Sequence, residues 1–341
     1  ADGTLTWRPP REGGGLRYRA EITHRRLGGG YDARVADEWA LFRGNDVFPA
    51  AATRTLRGAR AEAELEFVLP RGWSTATRYL EADGEDRYVV ANEGRRFSRP
   101  SGWMVAGRIG VRRSLIAGRR VVLAAPVDEG FRRMDIMAFL NWTLPELTRI
   151  FPGMDERLII VGAGDPMWRG GLSGPGSLFI HADRPLISEN GTSTLLHELV
   201  HTGLGIAGSR HDDWVVEGLA EYYAVKILNA SGTLSKRRGA IALESLADWG
   251  AEVDDLFLPR ASGEVMARAV TVLAALDAEL RLHSPEREGL DAVVAELDSA
   301  DTPYTYEALC EAVETVFLVR TRALSPENVP GASDAAACVM N

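Results

Sequence analysis

The stretch Thr194 to Gly203, TLLHELVHTG, constrains this 341-residue chain more than any other. It holds His197, Glu198, Leu199, Val200 and His201, an HExxH pattern. On an α-helix, residues four apart lie on one face, one turn from each other. Two neutral imidazoles so placed can share one tetrahedral Zn²⁺. Glu198, beside the first imidazole, is positioned to take a proton from a water at such a metal. Leu195, Leu196, Leu199 and Val200 supply apolar flanks, so the spacing predicts a buried, rigid helix.

A catalytic zinc takes three protein ligands and leaves one position open. The completion HExxHxxGxxH would need Gly and His where this chain has Leu204 and Ala207, so that pattern fails. His211 follows ten residues after His201 but sits in a loop-like stretch. Glu217 is the better candidate. It lies in DWVVEGLAEYY among Trp214, Val215, Val216, Leu219 and Ala220, which leaves little room for a casual charge. Glu221 is one turn further on the same helix face, where it can fix a ligating imidazole by accepting its distal N–H.

Composition bounds the rest. With 45 % hydrophobic and 26 % charged residues the chain has ample material for a core. A net charge of -9 argues against a nucleic-acid surface. No apolar run reaches transmembrane length. Ala1-Asp2-Gly3 has the small-residue character of a mature terminus left by cleavage, which favours export, periplasmic or extracellular. The two cysteines, Cys310 and Cys338, lack zinc-ligand spacing. They are read either as one disulfide pinning the tail or as two thiols.

Patterning divides the chain into a β-rich part over residues 1–103, a mixed part over 104–250 and a helical part over 251–341. LRYRAEITH, AEAELEFVLP and RYVVANEG read as strands between Gly and Pro punctuation. WMVAGRIGVRRSLIAGRRVVLAAP reads as two or three strands with Gly turns. Asp135 to Phe151 reads as a helix in which Pro145 marks a kink or a start. RLIIVG is a buried strand, the Gly/Ser/Pro part of GGLSGPGSLFIHADRP a flexible loop, and SLFIHA a strand. Thr192, Ser193 or Thr194 is expected to cap the HExxH helix, and Asp212 or Asp213 the next one. Three further helices follow, beginning near Gly263, Gly289 and Thr305.

TLLHELVHTG followed by WVVEGLAEYYA resembles the gluzincin peptidases, and within them the glycyl aminopeptidase family. Gly170-Gly171-Leu172 before the HExxH helix, FRGNDVFPA and VLPRGW near the start, and AALDAELRLHS later on are similar to that family too. The resemblance implies an α+β chain: an N-terminal β-sandwich, a thermolysin-like zinc peptidase domain and a C-terminal helical domain, with no room for a PDZ domain. It implies one Zn²⁺ per chain on His197, His201 and Glu217, with Glu198 as general base and Glu221 behind a zinc histidine. It implies an edge strand at Gly170, Gly171, Leu172 and Ser173 that binds a peptide or protein substrate.

Two departures accompany the resemblance. Relatives place a Glu after the Gly-Gly-Leu segment to grip a substrate's free amine; here the residues are Ser173-Gly174-Pro175-Gly176-Ser177. Endopeptidase action therefore fits as well as aminopeptidase action. Relatives also supply an oxyanion-binding Tyr from the helix near Met266, Arg268 and Ala269, where this chain has none. Tyr223, His211, Arg268, Tyr304 and Tyr306 are the substitutes the sequence offers. The alternative implied is a catalytically weak or inactive zinc-binding relative that binds peptides.

Overall fold

The computed structural model describes residues 6–8, 10–54, 57–58, 61–82, 86–90, 97–205, 209–286, 288–300 and 303–332. Thirteen strands and eight α-helices are assigned among them. The strands are β1 (His24–Arg25), β2 (Tyr31–Val35), β3 (Trp39–Arg43), β4 (Glu64–Glu66), β5 (Ser74–Ala76), β6 (Leu80–Glu81), β7 (Arg87–Val89), β8 (Trp103–Gly107), β9 (Ile109–Ile116), β10 (Arg119–Pro126), β11 (Arg157–Ala163), β12 (Gly171–Gly174) and β13 (Ser177–His181). The helices are α1 (Gly44–Val47), α2 (Arg133–Ile150), α3 (Thr194–Leu204), α4 (Asp213–Ala230), α5 (Lys236–Trp249), α6 (Glu264–His283), α7 (Leu290–Ser299) and α8 (Tyr306–Phe317).

The central sheet runs β12-β13-β11-β10-β9. β10, β11 and β13 are mutually parallel, and the two edges, β9 and β12, are antiparallel. Parallel strands covered on both faces are apolar throughout, and VVLAA, LIIV and SLFI have that character. Their side chains alternate between two cores. Val121, Leu123, Leu158, Ile160, Leu178 and Ile180 face the helices. Val122, Ala124, Ile159, Val161 and Phe179 face the other way, against Trp39, Leu41, Trp103 and Val105 of a second sheet. That second sheet runs β1-β2-β3-β8-β5. Its outer face, with Ala40, Phe42 and Met104, packs on Leu65 and Tyr88 of a small β4-β7-β6 sheet. The layers are thus small sheet, second sheet, central sheet and helices.

The structure alters several of the sequence readings. The Gly-rich run before SLFIHA is a strand with a tight turn, β12 into β13, because its backbone pairs from Gly171 with Ile180 to Gly174 with Ser177. Pro145 lies inside α2 and does not start it. Gly44–Val47, within FRGNDVFPA, forms a short helix. β8 lies inside the second sheet, between β3 and β5, so the boundary expected at 103 and 104 falls within a strand of that sheet. The helices expected after residue 251 share one core with α3 and α4, from Leu195 to Val329. Cys338, and with it the choice between a bridge to Cys310 and two thiols, lies outside the described residues, as does most of the closing tail. No helix among the described residues is long and apolar enough to cross a membrane.

Trp103 ties the second sheet to the edge of the central one. It is fully buried and packs on Phe179 at 5.4 Å between ring centroids. Its indole N–H donates to the Leu172 carbonyl at 2.8 Å, and its backbone N–H donates to the Ser177 hydroxyl at 2.9 Å. Trp103→Ala is expected to cost about 3–5 kcal/mol of stability, read from chemical denaturation of the pure protein.

Candidate metal centre

α3 begins where Ser193 accepts a hydrogen bond from the Leu196 backbone N–H at 3.3 Å, so Ser193 is the cap among the three expected candidates. The helix ends at Gly205, which adopts φ 68°. Leu195, Leu196, Leu199 and Val200 are buried, which turns His197, Glu198 and His201 toward a cleft. α4 has almost no solvent face: Val215, Leu219, Ala220, Tyr223 and Ala224 are all inaccessible. Gly218 lets α6 approach, since a Cβ there would lie 2.7 Å from that of Ala269. Neither Asp212 nor Asp213 caps α4 through its side chain. Asp212 accepts from the Ser209 hydroxyl and the Tyr306 N–H, and Asp213 from the Ala261 N–H, so both tie α4 to distant segments.

The structure brings His197, His201 and Glu217 together. His197 Nε2 lies 3.1 Å from His201 Nε2 and 3.3 Å from Glu217 Oε2; His201 Nε2 lies 3.4 Å from Glu217 Oε1. Donors roughly 2.0–2.1 Å from a tetrahedral zinc stand about 3.3 Å apart, so spacing and donor set both fit that ion. Among the described residues this is the one group of three or more His, Cys, Asp or Glu close enough to hold a metal. Glu221 Oε2 lies 3.0 Å from His197 Nδ1. That contact assigns the proton to Nδ1 and leaves Nε2 as the ligand atom.

Burial alone would depress the His197 pKa, but hydrogen bonds to Glu217 and Glu221 outweigh it and raise the value well above the ordinary one. Burial pushes Glu217 up, yet the two imidazoles prevail and hold its carboxyl below the usual range. In the metal-free protein, then, a proton stands in for the cation between the two carboxylates.

Glu198 is buried and lines the cleft beside both imidazoles. β12 runs against it: a Cβ on Gly171 would lie 2.6 Å from Glu198 Cγ. Gly170, Gly171, Leu172 and Ser173 all line the cleft, with Gly170 on one side of the triad and Leu172 and Ser173 on the other. A cavity of about 930 Å³ follows β12 through Gly176 and includes Arg78, Asp155 and Arg260. A second, of about 430 Å³, lies beyond Gly170 and Gly171 and is walled by α5. His197, Glu198 and Trp168 line both.

None of the proposed substitutes for the missing Tyr reaches either cavity. Tyr223 is inaccessible and donates to Asp291 at 3.0 Å; burial, then that carboxylate, keep its phenol protonated. Tyr306 donates to the Leu324 carbonyl, and Tyr304 is fully buried. His211 lies 3.3 Å from the Phe257 carbonyl, and Arg268 lines a separate cavity under α6. Sequence reasoning missed Trp168, Arg260 and Trp249 as cleft residues. Trp168 is placed by a tertiary contact, with the Arg26 guanidinium stacked 4.1 Å over its ring, and no local pattern announces that.

No family model matches the chain, and no curated protein matches it. Solved structures share its fold. An aminopeptidase N family protein from Idiomarina loihiensis aligns with a TM-score of 0.59 at 15 % identity, over 79 % of this chain and 54 % of that one. An M1 zinc metallopeptidase from Deinococcus radiodurans aligns with a TM-score of 0.54 at 17 % identity, over 87 % and 70 %. Leukotriene A4 hydrolase from Saccharomyces cerevisiae aligns with a TM-score of 0.52 at 16 % identity, over 75 % and 43 %. This chain spans about half the length of the first of these. At such identities the likeness is one of fold.

Two measurements follow. Glu221→Ala is expected to weaken zinc binding about 10- to 100-fold, read by competition with a chelating dye. Zinc uptake near neutral pH is expected to release about one proton from His197, because the raised pKa keeps that imidazole protonated while the metal requires it neutral. Apparent affinity should therefore climb about tenfold per pH unit until the pH passes that pKa, as calorimetry in buffers of different ionisation enthalpy would reveal.

Proposed function

We propose that the chain is a zinc-dependent metallopeptidase of the gluzincin type. The observation that carries this is the closure of His197, His201 and Glu217 into one donor set, with Glu198 and the edge strand β12 beside it. A bound zinc supplies Lewis acidity, lowering the pKa of a water and polarising the carbonyl to be attacked. Glu198 takes one proton from the attacking water as the C–O bond forms and then returns it to the amide nitrogen, after which the C–N bond breaks and the amine leaves. Glu221 holds His197 in the tautomer that presents Nε2. β12 offers its free backbone edge to an extended peptide, which joins the sheet as an added strand.

The cleft continues on both sides of the triad, and Ser173 to Ser177 bring no carboxylate to either side. Asp155 is engaged by Arg78 at 2.8 Å. A peptide running past the metal in both directions is better matched than one gripped by its free amine, which favours endopeptidase action over aminopeptidase action.

A second reading has one observation behind it: no tyrosine among the described residues lines the cleft. A missing oxyanion donor costs about 100- to 1000-fold in rate. On that reading the chain is a weak or inactive zinc-binding relative that retains peptide affinity.

Glu198→Gln separates the two. The peptidase reading expects one zinc per chain in both proteins, with cleavage of a mixed peptide library by the wild type and at least a 100-fold loss in the variant. Zinc in both with no cleavage by either would favour the binding protein. A wild type that takes up no zinc at neutral pH would sink both readings.

A further inference from the structure

Arg268 has no task at the metal centre. It lines instead a cavity of about 250 Å³ on another side of α6. Arg268, Val272, Ala275 and Glu279 all border that cavity, spaced four, three and four apart and therefore on one helix face. Met266, two residues before Arg268, points the other way and lines the cleft. The facing wall is a 3-10 turn, Arg322–Leu324, which follows α8 and packs across α6. Arg322 and Ala323 line the cavity from that turn.

The charges here do not balance. Glu279 is already engaged: its carboxylate accepts from the Arg322 backbone N–H at 2.8 Å and from the Ala323 N–H at 2.9 Å, which closes the start of the turn. Neither the Arg268 nor the Arg322 guanidinium meets a carboxylate among the described residues. Arg268 Nε is buried and has no hydrogen-bond partner among them. A buried donor left unmatched is costly, and more so when it is charged. A guanidinium is a planar fork that meets a carboxylate or a phosphate with two parallel hydrogen bonds. Two unmatched forks lining one cavity are a donor set for an anion. Val272, Ala275 and Ala323 add an apolar lining. The volume lies below the range of pockets that bury drug-sized molecules, so the ligand has few heavy atoms. Glu279 in the same wall disfavours a doubly charged phosphate more than a singly charged carboxylate.

We propose that this cavity binds a small aliphatic carboxylate, its charged end held by Arg268 and Arg322 and its short tail lying on Val272, Ala275 and Ala323. The site is separate from the metal centre and stands whether or not the chain cleaves peptides. A ligand held by both arginines ties α6 to the segment after α8.

The probe is butyrate, titrated into the zinc-loaded full chain at constant ionic strength and followed by saturation-transfer NMR, with butyramide and inorganic phosphate as comparisons. Butyrate should bind saturably with a Kd of about 1 mM or below. Butyramide and phosphate should bind at least about tenfold more weakly. Arg268→Gln and Arg322→Gln should each weaken butyrate binding at least about tenfold, and Arg268→Lys, which keeps the charge but loses the fork, should fall between wild type and Arg268→Gln. Butyrate should also raise the unfolding temperature of the wild type more than that of either Gln variant. Arg322 is exposed, so Arg322→Gln reads the cavity even if Arg268→Gln fails to fold. Butyrate binding that survives both Gln variants and vanishes on zinc removal is coordination at the metal centre and overturns the inference. Butyramide binding as tightly as butyrate, or phosphate binding more tightly, overturns the carboxylate assignment. No saturation below about 10 mM overturns the site itself.

Discussion

Everything at the centre depends on placing two carboxylates, Glu217 and Glu221, on a helix that is otherwise sunk in the core. A buried, unpaired carboxylate costs several kcal/mol, so each must find a cation or a proton donor. α3 supplies both needs through His197, whose two ring nitrogens face the two glutamates. This forces α3 and α4 into one register, because a shift of either helix by one residue would strand a charge. The polar contacts made by Asp212 and Asp213 then carry the constraint outward to Tyr306 and Ala261.

The same helix manages a second charged cluster one turn further on. Tyr222 donates to Asp277 at 2.6 Å, Tyr223 to Asp291, and Lys226 reaches both aspartates. The tyrosines that follow Glu221 in sequence therefore bind α4 to α6 and α7, on the side away from the cleft. This explains physically why a tyrosine so near the motif is not available to a substrate.

Much of the centre was legible from residue spacing. The four-residue spacing of His197 and His201, and the oddity of Glu217 amid Val216, Leu219 and Ala220, pointed to the three side chains that the fold brings together. The order of helices after Glu217 was also readable, since each carries its own apolar period. What resisted were features set by tertiary packing. The Gly-rich segment at Gly171 to Gly174 has loop composition, yet at Gly171 a glycine is required because Glu198 occupies the space of a side chain. Trp249 and Met266 lie seventeen residues apart on different helices and meet only after α5 and α6 pack. The alternation of VVLAA and LIIV between two cores was invisible because both faces are apolar.

The shared core from Leu195 to Val329 bears on how such a chain can be divided. The candidate metal ligands and the C-terminal helices are packed together: Gly218, next to Glu217, is held to a glycine because Ala269 and Leu273 lie against it. A fragment cut between α5 and α6 would keep His197, His201 and Glu217 but leave the back of α4 open to water. The helical third is therefore not a detachable module but part of the scaffold of the metal centre, and limited proteolysis in that connection would end metal binding and folding together.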